Sequence, residues 1–238
     1  MAVKTILLSL ALHGSLILGQ SYPFTASETL NYEVSLNILA AGDASLEIDE
    51  NLETNGTSLY LITFQMKTNS LWDQIFPIRD TVKSWIDTKG LATRKLKKVI
   101  REGAYAQDLT ADFDYNAGTV TTNRTSIPMK DEARDPYSFF YYLRTLPLKV
   151  GGLFSFTIFD NYRFTDLKMI VHRKEIVKVA AGQYDCFVVE PFREGRALFK
   201  NKGDMKVWIS DDQHRLPVMI ISKARFGSLV MKLTEHSP

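Results

Sequence analysis

The sequence predicts an all-β fold: a large curved antiparallel meander, barrel or half-barrel, with one short helix, after a cleaved N-terminal signal peptide. Apolar and polar residues alternate through both halves of the chain, turn-forming Gly and Asn recur at about 8–12-residue spacing, and one stretch has a convincing helical period. The chain has 238 residues, 45% apolar and 24% charged, close to ordinary soluble domains. No linker or repeat divides it, so residues 22–238 are expected to form a single domain with a large core.

Residues 1–21 read as the signal peptide. Lys4 is the positive n-region, residues 6–18 the apolar h-region, and Gly19 and Ser21 the small residues at a cleavage site. The apolar run is shorter than the ~20 residues of a spanning helix, and no later stretch approaches that length. The mature chain is therefore expected to be exported, with the periplasm as its compartment and no transmembrane segment. No Cys stands near the cleavage region to carry a lipid. Cys186, the single cysteine, rules out an intramolecular disulfide, so the core alone must hold the domain. A lone thiol on a strand reads as a small hydrophobe in preference to a nucleophile. Net charge is +2, falling to +1 without Lys4, which leaves no basic field for nucleic acid.

Along the mature chain, Tyr32, Val34, Leu36 and Ile38 alternate in a first strand over residues 29–40. A turn at residues 41–43 leads to Ala44, Leu46 and Ile48, and Asn55-Gly56 turns the chain again into Tyr60, Ile62, Phe64 and Met66. Residues 70–80, with Trp72, Phe76 and Pro77, lack a period of two and read as a loop or irregular edge. Residues 82–87 and 92–102 are strands around Lys89-Gly90, and Arg94, Lys95, Lys97, Lys98 and Arg101 on the second read as its solvated face. Leu109, Ala111, Phe113 and Tyr115 precede a turn at residues 116–118, then Val120 and a polar loop over residues 121–134.

Asp135 is a good N-cap, and Pro136 occupies the position where a missing N–H is harmless. Phe139, Phe140, Leu143 and Leu146 follow at helical spacing, and Pro147 with Gly151-Gly152 ends the run. The pattern predicts a helix over residues 135–146 that covers one face or the open end of the sheet. Strands resume with Phe154, Phe156 and Ile158, then residues 168–179, a turn at Ala181-Gly182, residues 184–190, a polar connection over 191–202, Met205 to Ile209 in alternation, 216–224 and 228–233. The count is roughly ten to twelve strands.

A set of short motifs in fixed order spans almost the whole mature chain. They include Tyr32-Glu33-Val34 with Gly42-Asp43-Ala44, Arg79-Asp80 with Ser84-Trp85-Ile86-Asp87, and Glu102-Gly103-Ala104-Tyr105. Asp135-Pro136-Tyr137-Ser138, Ala181-Gly182-Gln183-Tyr184, Val207-Trp208-Ile209-Ser210-Asp211-Asp212 and Phe226-Gly227-Ser228 follow. Together they resemble a family of bacterial exported proteins, the domain of unknown function 3108. The resemblance implies export and a β-rich fold and supplies no activity or catalytic residues. More loosely, the fold resembles the curved sheets of periplasmic lipoprotein carriers.

Ser210-Asp211-Asp212-Gln213-His214 is the densest set of potential ligands, but His172 lies on a separate strand and His236 at the tail, so it reads as a turn and not as a metal site. No phosphate loop, nucleophile elbow or zinc-protease motif is present. The protein is expected to be no enzyme and to need no cofactor. The first functional expectation is a carrier whose sheet holds an apolar or lipid-like ligand against Phe64, Trp85 and Phe113. Arg144 then either anchors a ligand's acid group or, structurally, suits the helix dipole and reaches a sheet carboxylate. The alternative is an envelope structural or assembly factor that binds another envelope protein near Trp72 and Phe76. An unrecognised hydrolase is a third reading. An enclosed apolar cavity above ~300 Å³ would favour the carrier, a packed interior the assembly factor.

Cleavage at this leader should leave a mature N-terminus between Gln20 and Pro23. N-terminal sequencing of the exported species tests this, and intact Met1 on soluble protein would overturn it.

Overall fold

The structure is a computed structural model that describes residues 22–52, 58–129, 131–193, 205–224 and 227–238. The leader, the Asn55-Gly56 turn, Phe226 and most of the 191–202 connection lie outside the described residues. The first half runs β1 (Glu28–Leu36), β2 (Leu39–Leu52), β3 (Ser58–Thr68), α1 (Ser70–Asp73), β4 (Arg79–Asp87), β5 (Thr93–Glu102), β6 (Tyr105–Asp114), β7 (Thr119–Thr122), β8 (Ser126–Pro128) and β9 (Ala133–Arg134). Then follow α2 (Ser138–Arg144), β10 (Leu153–Asp160), β11 (Arg163–Val179), β12 (Gly182–Phe192), β13 (Met205–Ser210), β14 (Pro217–Ala224) and β15 (Gly227–Ser237).

All the described strands join one sheet in the order β8-β7-β6-β5-β4-β3-β2-β1-β15-β14-β13-β12-β11-β10-β9. Pairing is antiparallel except for the short parallel bridge of β9 to β10. The chain passes from β8 to β9 through only residues 129–132, so the two ends of the sheet curl toward each other without sharing a backbone ladder. Side chains close this seam. Lys98 Nζ lies 2.6 Å from Asp160 Oδ1, Gln107 donates to Asn161 Oδ1 at 3.0 Å, and Phe113 meets the edge of Phe159 at 5.2 Å. Tyr115 donates to the Ala133 carbonyl at 3.2 Å. The fold is therefore an unclosed, barrel-like meander, as the alternation predicts.

Several details differ from the sequence reading. The first turn falls at Asn37, whose positive φ of 55° and side-chain acceptance of the Ser228 N–H at 2.9 Å define it, and Gly42 lies inside β2. A Cβ at Gly42 would come within 2.0 Å of the Lys67 carbonyl, so this glycine serves a close strand approach and not a turn. Residues 70–80 contain the one-turn α1, and the polar stretch 121–134 contains β8 and β9, strands too short to show a period. Those pieces raise the strand count to fifteen. Lys98 is not solvated: it points inward between Leu96 and Ile100, is 6% exposed, and is neutralised by Asp160 across the seam.

Helix α2 lies inside the curve. Asp135 Oδ1 accepts the N–H groups of Tyr137 and Ser138 at 2.9 and 3.1 Å, and Ser138 Oγ accepts the Asp135 N–H at 3.0 Å, a reciprocal cap. Its Oδ2 takes the hydroxyls of Ser84 and Thr93, at 2.5 and 2.8 Å, which ties the helix start to β4 and β5. The regular helix is shorter than the pattern predicts at both ends: residues 136–137 form a turn that leads into it, with Phe140 bonded i→i+3 to Tyr137, and Thr145 and Leu146 tighten into i→i+3 bonds after it. Phe139 packs on Phe156 at 4.2 Å, Tyr141 on Phe24 at 4.9 Å, and Leu143 is fully buried. These residues join buried residues of β1–β4 and β10–β15 in one cluster, and a second cluster fills the space among β4–β7, β9 and β10.

Leu143→Ala should therefore lower stability by about 2–5 kcal/mol, the lost transfer energy plus the cavity. Asp135→Ala should lower it by about 2–4 kcal/mol, beyond an ordinary cap, because Ser84 and Thr93 lose their acceptor as well. Urea unfolding measures both, and losses below about 1 kcal/mol would mean that α2 is not part of the core.

Candidate functional site

The structure separates the residues expected to form one ligand wall. Phe64 is half-buried between the two clusters, 4.9 Å from the Tyr137 ring. Phe113 is buried in the second cluster. Trp85 faces the other way. Phe64 stands opposite Val82 in register, and Trp85, three residues further along β4, points to the outer face, where Lys95 Nζ lies 5.7 Å from its ring. Arg144 is 2% exposed and forks onto both carboxylate oxygens of Glu28, also buried. It donates further to the Pro23 carbonyl at 2.8 Å and, through Nε and Nη2, to the His214 carbonyl at 3.1 and 2.9 Å. The sheet carboxylate that the helix charge reaches is thus Glu28, and the guanidinium is occupied by the protein itself.

His236 also reaches Glu28, at 3.1 Å, and its ring lies 5.3 Å from that of His214. Sequence reading sets these histidines apart, since only the pairing of β15 with β1 carries the tail back to Glu28. The segment from Ser210 is a turn: Asp212 Oδ1 accepts the N–H groups of His214 and Arg215 at 2.9 and 3.0 Å and the Ser210 hydroxyl at 2.8 Å. Asp211 pairs with Lys174 and Arg215. Cys186 is buried, and desolvation pushes its thiol up to about 12, which suits a small hydrophobe.

The unusual surface is one pole of the barrel. Asn69 caps α1 by accepting the Trp72 N–H at 3.1 Å, and both Asn69 Nδ2 and Trp72 Nε1 donate to the Ala40 carbonyl, at 3.1 and 3.0 Å. These bonds seat α1 against the β1–β2 turn. Around that seat Ile38 is 94% exposed, Ile75 68%, Leu71 64%, Leu39 60% and Phe76 46%. The Phe76 ring covers Gly103, where a Cβ would meet it at 2.6 Å with φ of +56°, so only glycine fits beneath it. Exposed Tyr105 stands two residues beyond.

Charges of both signs border the pole. Asp73 pairs with Arg79 at 2.5 Å, and hydrogen bonds from Arg79 and then Thr68 hold its carboxyl down at about 2. Next to them a groove of about 470 Å³ crosses the outer face from β15 to β4, lined by Asn31, Asp43, Gln65, Lys67, Arg79 and Thr81. Behind it Asp80 is nearly buried, and desolvation raises its carboxyl to about 6 although the Arg101 N–H bonds it at 2.9 Å. An unfolded Asp ionises near ~3.9, so between these values the native state holds more protons and stability falls as pH rises. Asp80→Asn should therefore raise stability at pH 7.5, by at most about 3 kcal/mol, and change it little at pH 3.5. Urea titrations at the two pH values test this, and equal effects would refute it.

The sequence profile described as "Protein of unknown function (DUF3108)" matches residues 31–234. No curated protein sequence matches the chain. Among solved structures, the β-barrel-like protein of domain of unknown function DUF1849 from Brucella abortus has a TM-score of 0.58 at 12% identity, over 89% of this chain and 97% of that one. That likeness shows a shared fold. A "putative exported protein with YmcC-like fold" from Bacteroides fragilis scores 0.41 at 8% identity over 91% and 98% of the two chains. A "putative lipoprotein" from Parabacteroides distasonis scores 0.38 at 10% identity over 91% and 97%. Because the family profile runs from β1 into β15, the chain belongs to the DUF3108 family of proteins of unknown function.

Proposed function

We propose that this chain is an exported envelope β-domain that works by contact and performs no chemistry, docking another envelope protein on its apolar pole. The observation that carries the reading is the concentration of exposed Ile38, Leu39, Leu71, Ile75 and Phe76 around α1. A monomeric soluble surface seldom gathers so much aliphatic and aromatic bulk in one place without a partner to cover it. Its border holds balanced charges, Asp43 and Asp73 against Lys67 and Arg79, the polar rim of a protein interface. A pole seated on lipid would instead be ringed by cations. The concave face, where a carrier would hold its cargo, is occupied by α2 and its Phe139, Tyr141 and Leu143. The groups with chemical potential serve the fold: Arg144 and Glu28 hold each other, and Asp212 holds a turn.

A photo-crosslinking residue at Ile75 should give one discrete adduct in the envelope, absent when the probe sits at exposed Lys97 on β5. Ile38→Asp should abolish that adduct and leave the unfolding midpoint unchanged, as expected for an exposed side chain. Equal adducts at both positions, or binding of the purified protein to phosphatidylethanolamine–phosphatidylglycerol vesicles that Ile38→Asp removes, would overturn the protein-docking reading.

A further inference from the structure

Strand β11 outruns its neighbour on one side. β10 pairs with it only from Asp160↔Arg163 to Leu153↔Ile170, after which Gly151 and Gly152 exchange backbone bonds with Val171 at 2.8 and 3.0 Å. Beyond a bulge at His172, residues 173–179 go on pairing with β12, from Arg173↔Val188 to Val179↔Gly182. No described strand lies on their other side, and among the described residues no backbone group outside β12 bonds to them. In an antiparallel pair alternate residues turn their N–H and C=O groups away from the partner, so this overhang presents an open ladder roughly 20 Å long at ~3.3 Å per residue.

Its side chains sort by face. Val177 is buried and Val179 half-buried against the core, whereas Lys174, Ile176 and Lys178 alternate on the outside, with Ile176 65% exposed. Val150 and Leu153, where the chain enters β10 at the start of the overhang, are exposed as well. Among the described residues, every large exposed apolar side chain away from the pole therefore stands along this one line. Water satisfies an open ladder, but only a second extended backbone satisfies it and covers Ile176 at once.

The charges select the kind of strand. Lys149, Arg173, Lys174 and Lys178 border the edge. Glu175 is taken by Arg173 and by the Trp208 indole, and Asp211 by Lys174 and Arg215. Asp185, in register with Ile176 on β12, is the remaining carboxylate beside the overhang, and Lys149 and Lys178 pair with none among the described residues. A second copy paired antiparallel at this edge would set lysine against lysine, so the edge rejects its own kind and favours a strand that carries carboxylates.

We propose that the overhang of β11 takes an added strand from an acidic extended segment of a partner protein, with an apolar side chain of that strand beside Ile176 and carboxylates beside Lys174 and Lys178. The overhang is built from other elements than the apolar pole, so neither reading depends on the other.

Fluorescence anisotropy with synthetic peptides and the full chain tests the assignment. A peptide with the core Glu-Thr-Val-Thr-Glu should bind saturably, at least tenfold tighter than the same peptide N-methylated throughout its core, which keeps every side chain and loses the ladder donors. It should also bind at least tenfold tighter than a peptide with lysine in place of glutamate. Ile176→Glu combined with Lys178→Glu, both at exposed positions, should weaken the acidic peptide at least tenfold at an unchanged unfolding midpoint, whereas Ile38→Asp at the pole should leave its binding intact. If the double variant fails to fold, the N-methylated and lysine peptides decide on the unaltered chain. Equal binding of either control peptide, indifference to the double variant, loss in Ile38→Asp, or no saturable binding would overturn the proposal. So would a concentration-dependent dimer in sedimentation that the double variant abolishes, which would assign the edge to a second copy.

Discussion

The buried pair of Arg144 with Glu28 is the constraint on which the interior depends. Two charges taken out of water are tolerable only when nearly every donor and acceptor is used. Here both carboxylate oxygens meet the guanidinium, one also meets His236, and the remaining Arg donors reach the carbonyls of Pro23 and His214. One side chain at the end of α2 thereby holds the start of β1, the end of β15 and the β13–β14 turn together. Removing either partner would leave an uncompensated charge in the core, worth about 3–5 kcal/mol in comparable cases. Asp135 plays the matching role at the other end of the helix, with its carboxylate shared between the first turn and the hydroxyls of β4 and β5.

With α2 pinned at both ends, the sheet has something to curl around. A twisted sheet of this many strands bends until its ends approach. The ends do not zip into a ladder because β8 and β9 are three and two residues long. Short edge strands also protect against pairing with other chains. The seam is held instead by one partly buried ion pair, a few hydrogen bonds and ring packing, which leaves space beside β9 for a cleft.

A sheet that wraps its own helix spends its inner face on folding, which leaves the poles, the outer face and the seam as its accessible surface. Exposed Ile38, Leu39, Leu71, Ile75 and Phe76 gather at α1 and the β1–β2 turn, while Val150, Leu153 and Ile176 stand exposed elsewhere, and the polar clefts lie on the outer face and at the seam.

The sequence by itself determined the local structure. Alternation is a property of neighbours along a strand, so the all-β class, most strands and the inward positions of Tyr32, Leu46, Ile62 and Phe156 were legible without a partner in view. The Asp135 cap was legible for the same reason, since its bonds to Tyr137 and Ser138 span three residues. The exposed patch near Trp72 and Phe76 showed as apolar bulk without a period. What only the tertiary structure decided is everything that joins residues distant in sequence. Glu28 meets Arg144 across 116 positions, and His236 meets Glu28 across 208. The inward turn of Lys98 depends on Asp160 arriving across the seam, and no pattern within β5 announces that arrival. Trp85 is the instructive case, because its parity with Val82 already placed it on the opposite face from Phe64, while its aromatic character suggested a wall. Side-chain type names what a residue can do, whereas register and curvature decide what it faces.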